Sequence, residues 1–472
     1  MYCTHTRQDT ATGSSLTRIF LPPDDGQTQS LSTTTPQSSP INSIPVEILT
    51  DIFDFCQPQG DWREPSVPTL EHIVAVCSHW RAVALSAPYL WSKIRLRDPL
   101  TPYIPLVQRW LELSQRCPLD ITIRQSSKLD ISGLPLKWMR IGEATSTLLN
   151  LLLPHLHRWK SLELSLCQPT PFPRLPLSSE AAPILKHVDI RDSQMLTPDA
   201  RRLWQMILSS PSMRRISWKA DMPQTAFLPG LIDFDWEKLT HITGDFVVDD
   251  TFLDILSQCT SLEYFDISRG SRDPTEWTPE PRLGAPFVLP ALQVLRFHTD
   301  EVSLLDHLIL PLLKQVVLYR YEARLYKWVD LFRRSSCTLV SVSFSVHSNK
   351  VSGVDVVAFL SSSAMSTVTF LHASAAGNSS FLIKILTRRS GRELLPSLRT
   401  LSLGLQNCED GLLEAMVKSW TADSDSPLKT IRIVHTLYPH RVLQQCGPEV
   451  SFFERLRQTG FDIEYDGPPV QN

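Results

Sequence analysis

Few residues in this sequence combine the types and the spacing that metal binding or catalysis needs. His155 and His157 would place both imidazoles on one side of the chain only in a strand, whereas Pro154 favours a helix end, where the rings diverge. No cysteine or carboxylate follows at the spacing of a zinc site. The sequence also lacks the glycine-rich phosphate loop, the dinucleotide-binding motif, the zinc-protease motif and the nucleophile elbow.

Two charged clusters have simpler explanations than chemistry. Asp249 and Asp250 precede a helical pattern, and acids favour the positive end of a helix dipole. The cluster of Arg388, Arg389 and Arg392 could bind an acidic or phosphorylated partner, but a solvated loop is the interpretation we prefer. We therefore predict that the protein is not an enzyme and has no catalytic residues, no metal and no cofactor.

Composition and charge narrow the classes of partner. The chain has 472 residues, of which 42% are hydrophobic, and this is enough for a large core or for more than one domain. Its net charge of −3 gives no general attraction to nucleic acids or to acidic membrane surfaces. We therefore predict neither a nucleic-acid partner nor a membrane partner.

The cysteines and the N-terminal leader bear on the cellular compartment. Nine cysteines are scattered without a C-x-x-C pair, which is typical of reduced thiols in a cytoplasmic or nuclear protein. Residues 1–40 are rich in Ser, Thr, Gln and Pro and lack the parts of a signal peptide, so we predict a disordered leader. No segment approaches the uninterrupted apolar length of a membrane span.

The stretch from Ile44 to Trp91 has the strongest local pattern. Pro45 suits a first helical position, and Glu47 suits the positive end of the helix dipole. Two short helices with apolar faces cannot bury both faces on each other, so part of this surface is predicted to dock a partner. The alternative is that these faces form the core of a small helical domain. The apolar residues recur at helical spacing and are Ile48, Leu49, Ile52, Phe53 and Cys56, followed by Leu70, Ile73, Val74, Cys77, Trp80 and Ala84.

Three blocks of this stretch carry a family resemblance. They read Ile-Pro-x-Glu-Ile-Leu-x-x-Ile-Phe from Ile44, Val-Cys-x-x-Trp-Arg-x-x-Ala from Val76, and Pro-x-Leu-Trp from Pro88. In this order they resemble an F-box, in particular the F-box-like form common in mushroom-type fungi. The resemblance implies docking onto the adaptor Skp1 of a cullin–RING ubiquitin ligase. The positions that it assigns to Skp1 binding are Ile44, Pro45, Val46, Ile48, Leu49, Ile52, Phe53, Val76, Trp80 and Trp91.

The loop between the first two blocks departs from the family pattern. The usual F-box has a short loop there, whereas this chain carries three prolines and a glycine between Gln57 and Pro68. A loop in solvent tolerates such an insertion at a small entropic cost. The sequence does not indicate whether the insertion weakens Skp1 binding.

A second feature is a repeated triplet with the spacing apolar, two other residues, apolar, one other residue, apolar. Eleven triplets occur, and their first residues lie 21 to 33 residues apart, a period typical of leucine-rich repeats. Helical patterns lie between many of them. The triplets are Trp159-Leu162-Leu164, Leu185-Val188-Ile190, Met213-Ile216-Trp218, Leu239-Ile242-Gly244, Leu262-Phe265-Ile267, Leu292-Leu295-Phe297, Leu313-Val316-Leu318, Leu339-Val342-Phe344, Met365-Val368-Phe370, Leu398-Leu401-Leu403 and Leu428-Ile431-Ile433.

This arrangement predicts the fold class. We expect an α/β leucine-rich-repeat-like solenoid with parallel strands on its concave face, preceded by a small all-α F-box-like module. The units vary in length and mostly lack the consensus Asn or Cys, so the pattern resembles the irregular repeats that often follow an F-box. The predicted domains are a leader (1–40), the F-box-like helical domain (41–95), a linker helix with a first strand or irregular repeat (96–156), the solenoid (157–466) and a tail (467–472).

Elements outside the triplets are expected on the same grounds. The patterns predict a helix over 104–117, a strand over 118–124, a helix over 442–457 and a last strand over 461–465. Residues 125–156 are not placed, because Leu136-Met139-Ile141 matches the triplet spacing but could equally be loop or helix.

Polar residues between the apolar strand positions would face the concave side, which repeat proteins use to bind protein partners. Both charge signs occur among them, so the sequence implies no ligand of a single sign. For any one of these residues, an ordinary solvent-facing position is the simpler explanation. The candidates for target binding are Asp189, Arg191, Lys219, Asp266, Arg296, His298, Tyr319 and Arg432.

The leading hypothesis is a substrate-recognition subunit of an SCF-type ubiquitin ligase. The F-box-like helices would bind Skp1, and the repeats would present an unknown protein target at high effective concentration. An alternative is an interaction scaffold whose F-box-like block caps the repeats, and it predicts that Ile48, Leu49, Ile52 and Phe53 are buried against them. An enzyme would need a deep pocket with clustered titratable side chains.

Overall fold

The protein is described by a computed structural model in which the chain divides into two compact units. Unit 1 comprises Met1–Leu185 and Ser193–Met206, and unit 2 comprises Lys186–Asp192 and Ile207–Asn472. The residues that the structure describes are 43–57, 69–126, 135–167, 170, 182–192, 197–220, 234–246, 248–269, 285–298, 303–321, 324–347, 351–376, 379–388, 394–405, 411–421, 427–435 and 462–466.

Unit 1 begins with three short helices. They are α1 (Val46–Phe55), α2 (Thr69–Val76) and α3 (Ser78–Leu85), and a 3-10 helix follows over Pro88–Ser92. The first of the two predicted helices is confirmed, whereas the second is divided into α2 and α3 at Cys77, whose backbone is extended and whose Sγ accepts a hydrogen bond from the backbone N–H of Trp80. The inserted loop lies mostly outside the described residues.

The rest of unit 1 contains three parallel strands. They are β1 (Lys93–Arg97), β2 (Leu119–Arg124) and β3 (Trp159–Leu166), and they pair in this order. The connections contain α4 (Tyr103–Leu113) and α5 (Pro135–Leu152), followed by a 3-10 helix over Leu153–Arg158. Leu136-Met139-Ile141 is therefore part of a helix, and the two histidines lie at a helix end as predicted.

Unit 2 consists mainly of strands that alternate with helices. The strands are β4 (His187–Asp192), β5 (Arg215–Ala220), β6 (His241–Asp245), β7 (Tyr264–Arg269), β8 (Phe287–Val288), β9 (Val294–Phe297), β10 (Leu308–Ile309), β11 (Gln315–Tyr321), β12 (Ser341–His347), β13 (Phe370–Ala376), β14 (Thr400–Leu405), β15 (Thr430–His435) and β16 (Asp462–Asp466). The helices are α7 (Asp250–Gln258), α8 (Ser303–Asp306), α9 (Leu325–Ser335), α10 (Gly353–Leu360), α11 (Ser380–Leu386) and α12 (Leu412–Thr421), whereas α6 (Thr197–Ser209) belongs to unit 1 up to Met206 and to unit 2 from Ile207.

Parallel pairing connects the strands of unit 2 in sequence order. The main sheet runs β4, β5, β6, β7, β9, β11, β12, β13, β14, β15 and β16, while β8 and β10 pair with each other as a separate two-stranded sheet. Ile216 pairs with Val188 on one side and with Ile242 on the other, so the middle residues of successive triplets form a continuous apolar row. The repeat period thus positions equivalent residues side by side.

The helices of unit 2 pack against this apolar face. Phe252 of α7 lies 6.4 Å from Phe265 of β7, and Trp328 of α9 lies 5.4 Å from Phe297 of β9, measured between ring centroids. Because side chains alternate between the two faces of a strand, the residues between the buried positions lie on the opposite face. We call this opposite face, from β4 to β15, the polar face.

One predicted triplet is wrong by three residues. The pairing partners of Val342 and Phe344 in β13 are Leu371 and Ala373, so the triplet is Val368-Leu371-Ala373 rather than Met365-Val368-Phe370. Met365 is fully buried in a 3-10 turn over Ser363–Thr367 that precedes the strand, and Phe370 is half-buried on the polar face. The two spacings overlap at Val368, and the small side chain of Ala373 concealed the correct one.

Gly244 ends a triplet without a side chain for a steric reason. It lies beside Trp218 and Ile267 in the sheet. A Cβ at this position would collide with the carbonyl oxygen of Trp218 and would lie 2.9 Å from Cζ of Phe246. The space of the missing side chain is thus taken by an aromatic ring.

Most predicted elements inside the described residues are confirmed, including the last strand, β16. The expected leader, the helix over 442–457 and the tail lie outside the described residues. The parallel sheet supports the α/β class, while the leucine-rich-repeat solenoid and the domain limits stay predictions.

Candidate functional site

Helix α1 carries two apolar stripes. Leu49 and Phe53 lie four residues apart on one stripe, and Ile48, Ile52 and Phe55 share a neighbouring stripe at i, i+4 and i+7. We call the first the inner stripe and the second the outer stripe. Helical periodicity alone does not distinguish them, but the surroundings of the two stripes differ completely.

The inner stripe forms part of the core of unit 1. Leu49 and Phe53 are each only 1% exposed, and the ring centroid of Phe53 lies 5.1 Å from that of Trp80 on α3. Trp91 is equally buried, and its Nε1 donates a hydrogen bond to the carbonyl oxygen of Ala84 at 2.8 Å. These contacts fix α1, α3 and the 3-10 helix to one another.

Further hydrogen bonds strengthen this packing and connect it to α2 and α4. The amide nitrogen of the buried Gln57 side chain donates to the carbonyl oxygen of Leu90 at 3.3 Å, and Arg81 Nε donates to the carbonyl oxygen of Val74 at 2.9 Å. Glu71 is buried and accepts a hydrogen bond from Trp110 Nε1 at 3.1 Å. Burial raises the pKa of the Glu71 carboxyl, and the hydrogen bond from Trp110 opposes this shift.

The outer stripe is exposed to solvent. Ile48 is 51% exposed, Ile52 is 41% exposed and Phe55 is 82% exposed. Val46 at the start of α1 and Val76 at the end of α2 are also exposed. Single exposed apolar residues are common, but three on one helical stripe suggest a surface that binds a partner.

The burial pattern changes the expected role of several predicted site residues. Leu49, Phe53 and Trp91 are interior residues that position α1, so they are not available for direct contact with an adaptor in this conformation. Ile44 and Trp80 are half-buried, whereas Pro45, Val46, Ile48, Ile52 and Val76 are exposed. Phe55 was missed, although its spacing from Ile48 and Ile52 could have revealed it. The scaffold hypothesis requires Ile48 and Ile52 to be buried, so their exposure counts against it.

In unit 2, the register of the sheet arranges the predicted target-binding residues in rows. Asp189, Ser217, Thr243, Asp266 and Arg296 occupy consecutive positions of one row on β4, β5, β6, β7 and β9. The row continues through the partners Val317, Ser343, His372 and Ser402 to Arg432 on β15. Arg191 and Lys219 are paired in the adjacent row.

Four of these residues come together at the centre of the polar face. Asp266, Arg296, His298 and Tyr319 lie on or directly after β7, β9 and β11, and the rings of His298 and Tyr319 stack with centroids 4.1 Å apart. Two residues that are not among the predicted target-binding residues, His241 and Tyr264, complete the group. Tyr264 donates a hydrogen bond from its hydroxyl to Asp266 Oδ2 at 3.3 Å, and its ring stacks on His241 at 5.4 Å.

We call these six residues the aromatic–ionic patch: His241, Tyr264, Asp266, Arg296, His298 and Tyr319. The guanidinium of Arg296 lies 5.5 Å from the ring centroid of Tyr264, within reach of a cation–π interaction. Tyr264 could have been found from the sequence, because it lies two residues before Asp266 and so on the same face of β7. His241 stands in the same relation to Thr243 on β6.

Burial favours the neutral form of the two histidines of the patch. Burial lowers the pKa of His298, and Lys219 and Arg296 lower it further, while Asp266 opposes the shift. Burial also lowers the pKa of His241. His298 Nε2 and Asp266 Oδ1 lie 3.5 Å apart, and the lowered pKa of His298 weakens the ionic character of this contact. The fixed positive charges of this region come from arginine and lysine.

Comparison with protein families identifies one domain. Residues 41–97 match the F-box-like family, and this range includes α1, α2, α3, the following 3-10 helix and β1. The chain therefore contains an F-box-like domain. The repeat region of unit 2 lies outside the matched residues. A comparison with characterised proteins found no relative that matches the chain.

Two further searches concern metals and membranes. Within the described ranges, no three His, Cys, Asp or Glu side chains are grouped so that they could hold a metal ion. None of the helices in the part of the chain that the structure describes is long and apolar enough to cross a membrane. The buried thiols of Cys259 and Cys337 are poor nucleophiles, because burial raises the pKa of Cys259 to about 12 and that of Cys337 to about 11.

Proposed function

We propose that the protein is a substrate-recognition subunit of an SCF-type ubiquitin ligase, without catalytic activity of its own. F-box domains in general are adaptor modules that bind Skp1. In this proposal α1 docks onto Skp1, and unit 2 presents a protein target through its polar face. The compartment that this implies is the cytoplasm, the nucleus or both.

The observation that carries the proposal is the exposed outer stripe within the F-box-like domain. Ile48, Ile52 and Phe55 lie in the matched range and present large apolar side chains to solvent on a helix whose other apolar stripe is already buried. Burial of such side chains at an interface contributes about 25 cal/mol per Å² of apolar surface. The exposed Pro45, Val46 and Val76 are the proposed secondary contacts, with the half-buried Ile44 and Trp80 at their margin.

The buried residues of the proposed Skp1 site act indirectly. Leu49, Phe53 and Trp91 hold α1 against α3 and the 3-10 helix, which fixes the direction of the outer stripe. An acidic substitution at Leu49 or Phe53 would unfold the domain and would not test docking. The informative substitutions are those of the outer stripe.

The experiment is a binding measurement with purified Skp1 by calorimetry, using the intact chain. The test variant carries Ile48→Asp and Ile52→Asp. A matched control carries Val340→Asp and Val354→Asp. Like the test variant, it places two acids at exposed β-branched apolar positions, but these lie in unit 2. Thermal melts of both variants establish that they remain folded.

We expect the outer-stripe variant to bind Skp1 at least about 30-fold more weakly, as expected for the loss of central apolar contacts at an interface. The control should bind like the intact chain. Absence of binding by the intact chain would reject the ligase assignment and would leave an interaction scaffold as the alternative. Equal losses in both variants would show that binding does not depend on α1.

A further inference from the structure

The polar face has an asymmetry of charge that is absent from the sequence pattern. From β4 to β11, the polar-face residues that are exposed among those with described side chains are Arg191, Arg215, Lys219 and Tyr319. Three of these four are cations, and none is an acid. The sequence has both charge signs on this face, but the charged side chains that are exposed to solvent are mainly cations.

The acids of this region are covered by their neighbours. The Asp189 side chain is 14% exposed and pairs with Arg191 at 3.1 Å. The Asp266 side chain is 10% exposed, accepts the hydrogen bond from Tyr264 and lies against His298. Asp245 is half-buried. The side chains of Asp189 and Asp266 are therefore largely covered, which limits their contact with a cationic ligand.

Two of the exposed cations, Arg215 and Lys219, are available to a ligand. Neither Arg215 nor Lys219 forms an ion pair with an acid within the part of the chain that the structure describes, and Arg296 is half-buried over the ring of Tyr264. Nε of Arg296 is buried without a hydrogen-bond partner among the described residues. An incoming carboxylate would supply acceptors to a guanidinium and an ammonium, and charge-assisted hydrogen bonds of this kind are stronger than neutral ones.

The spacing of the cations indicates the form of the ligand. Arg215 and Lys219 are four residues apart on β5, or about 13 Å along the strand, and β9 lies three strand spacings away, or about 14 Å across the sheet. A single phosphate group is too small to contact all three cations. An extended peptide of roughly six residues covers such a distance and can place several acids along it.

The aromatic pairs complete the binding surface. The stacked pairs His241–Tyr264 and His298–Tyr319 lie on adjacent strands in two different rows of the sheet. Flat, rigid rings of this kind bury apolar area at a small cost in side-chain entropy. They can accommodate the backbone and the apolar side chains between the acids of a bound segment.

We infer that the polar face around Arg215, Lys219 and Arg296 binds an extended acidic segment of the protein target, rich in Asp and Glu. The inference rests on the proposed function for the statement that unit 2 presents a target, and it adds the chemical class of that target. The part of the face on β12, β13 and β14 offers a contrast, because its residues are Ser, Thr, Gly, Ala, Phe and His, and the cation Arg432 follows only on β15.

The test uses a displayed library of random peptides, roughly ten residues long, selected on the intact chain at low salt. The same library is selected on a variant with Arg215→Glu and Lys219→Glu. The matched control carries Arg333→Glu and Lys418→Glu, which changes the net charge by the same amount. These residues lie on α9 and α12, away from the polar face. The best peptide is then titrated in its original form and with every acid replaced by its amide.

We expect the intact chain and the control to enrich peptides with acids at several positions. The variant on β5 should lose this enrichment and bind the best peptide at least tenfold more weakly, and the amide peptide should bind as weakly. Enrichment of basic or neutral peptides, no enrichment, or an equal loss in the control would each overturn the inference. Tighter binding of a single-stranded oligonucleotide than of the best peptide would also overturn it, in favour of a nucleic-acid ligand.

Skp1 binding, measured on the same samples, separates this inference from the proposed function. The β5 variant should retain the Skp1 affinity of the intact chain. Loss of acidic-peptide binding with intact Skp1 binding supports the inference. Peptide selection without any Skp1 binding would retain the acidic-peptide site and reject the ligase assignment.

Discussion

The outer stripe of α1 and the polar face of unit 2 expose opposite kinds of chemistry. The outer stripe presents Ile48, Ile52 and Phe55, all apolar, whereas the polar face presents cations beside stacked aromatic rings. An apolar stripe gains free energy mainly by excluding water from its surface. A cationic face gains free energy mainly from charges, which salt screens. One chain can therefore hold two partners by forces that respond differently to the same conditions.

The largest expected effect separates the two stripes of α1. Leu49→Ala should lower the free energy of unfolding by about 2–5 kcal/mol, because it leaves a cavity in the core. Ile48→Ala should change it by no more than about 0.5 kcal/mol, because Ile48 is half-exposed. Urea denaturation followed by circular dichroism measures both values. Similar losses for the two variants would contradict the distinction between a buried and an exposed stripe.

Salt should divide the two binding surfaces. A tenfold increase in salt concentration is expected to lower the affinity for the acidic peptide by about tenfold or more, since several charge pairs that salt screens contribute to its binding. The affinity for Skp1 should change by less than about twofold, because the outer stripe carries no charge. Both titrations can be done on one preparation of the intact chain. A strong salt dependence of Skp1 binding would show that the charges around α1 dominate its docking.

The smallest expected effect concerns the stability of the F-box-like domain and its dependence on pH. The pKa of Glu71 is raised in the folded state, so its contribution to stability is full below its ordinary pKa of 4.5 and is lost as the pH rises through the folded value. Glu71→Gln removes this loss and should stabilise the protein at neutral pH by about 1 kcal/mol or less.

Thermal melts of the Glu71→Gln variant and the intact chain at several pH values measure this difference. The thermal stability of the variant should rise relative to that of the intact chain at pH values above the ordinary pKa of Glu71. The affinities for Skp1 and for the acidic peptide should stay unchanged. A variant that loses stability at neutral pH would show that the carboxylate is held in its charged form by contacts stronger than its burial.

Sequence periodicity predicted the elements far better than it predicted their exposure. The repeat of apolar triplets identified most strands, because two buried positions per strand recur wherever parallel strands pair in register. The same spacing gave the wrong triplet on β13, where Met365 and Phe370 imitate the pattern that Leu371 and Ala373 actually form. The ambiguity is intrinsic, since small residues at buried positions carry no apolar signal.

The candidate sites were predicted less completely, for physical reasons. On α1, the residues at helical spacing included both stripes, and only packing against Trp80 shows that Leu49 and Phe53 are interior residues. On the polar face, the sequence showed acids and bases mixed along the strands. It could not show that Asp189 and Asp266 are covered while Lys219 is exposed, because that depends on partners on neighbouring strands.

The regular pairing in the main sheet of unit 2 also bears on how the chain folds during synthesis. Leu295 pairs with Val316, 21 residues later, and Ile431 pairs with Ile463, 32 residues later. Each new strand can therefore add to an edge formed by residues that have recently left the ribosome. Short sequence separations between contacts favour fast folding and limit the time during which an unpaired edge can aggregate. Each strand edge of the growing sheet is therefore exposed only until the next strand has been synthesised.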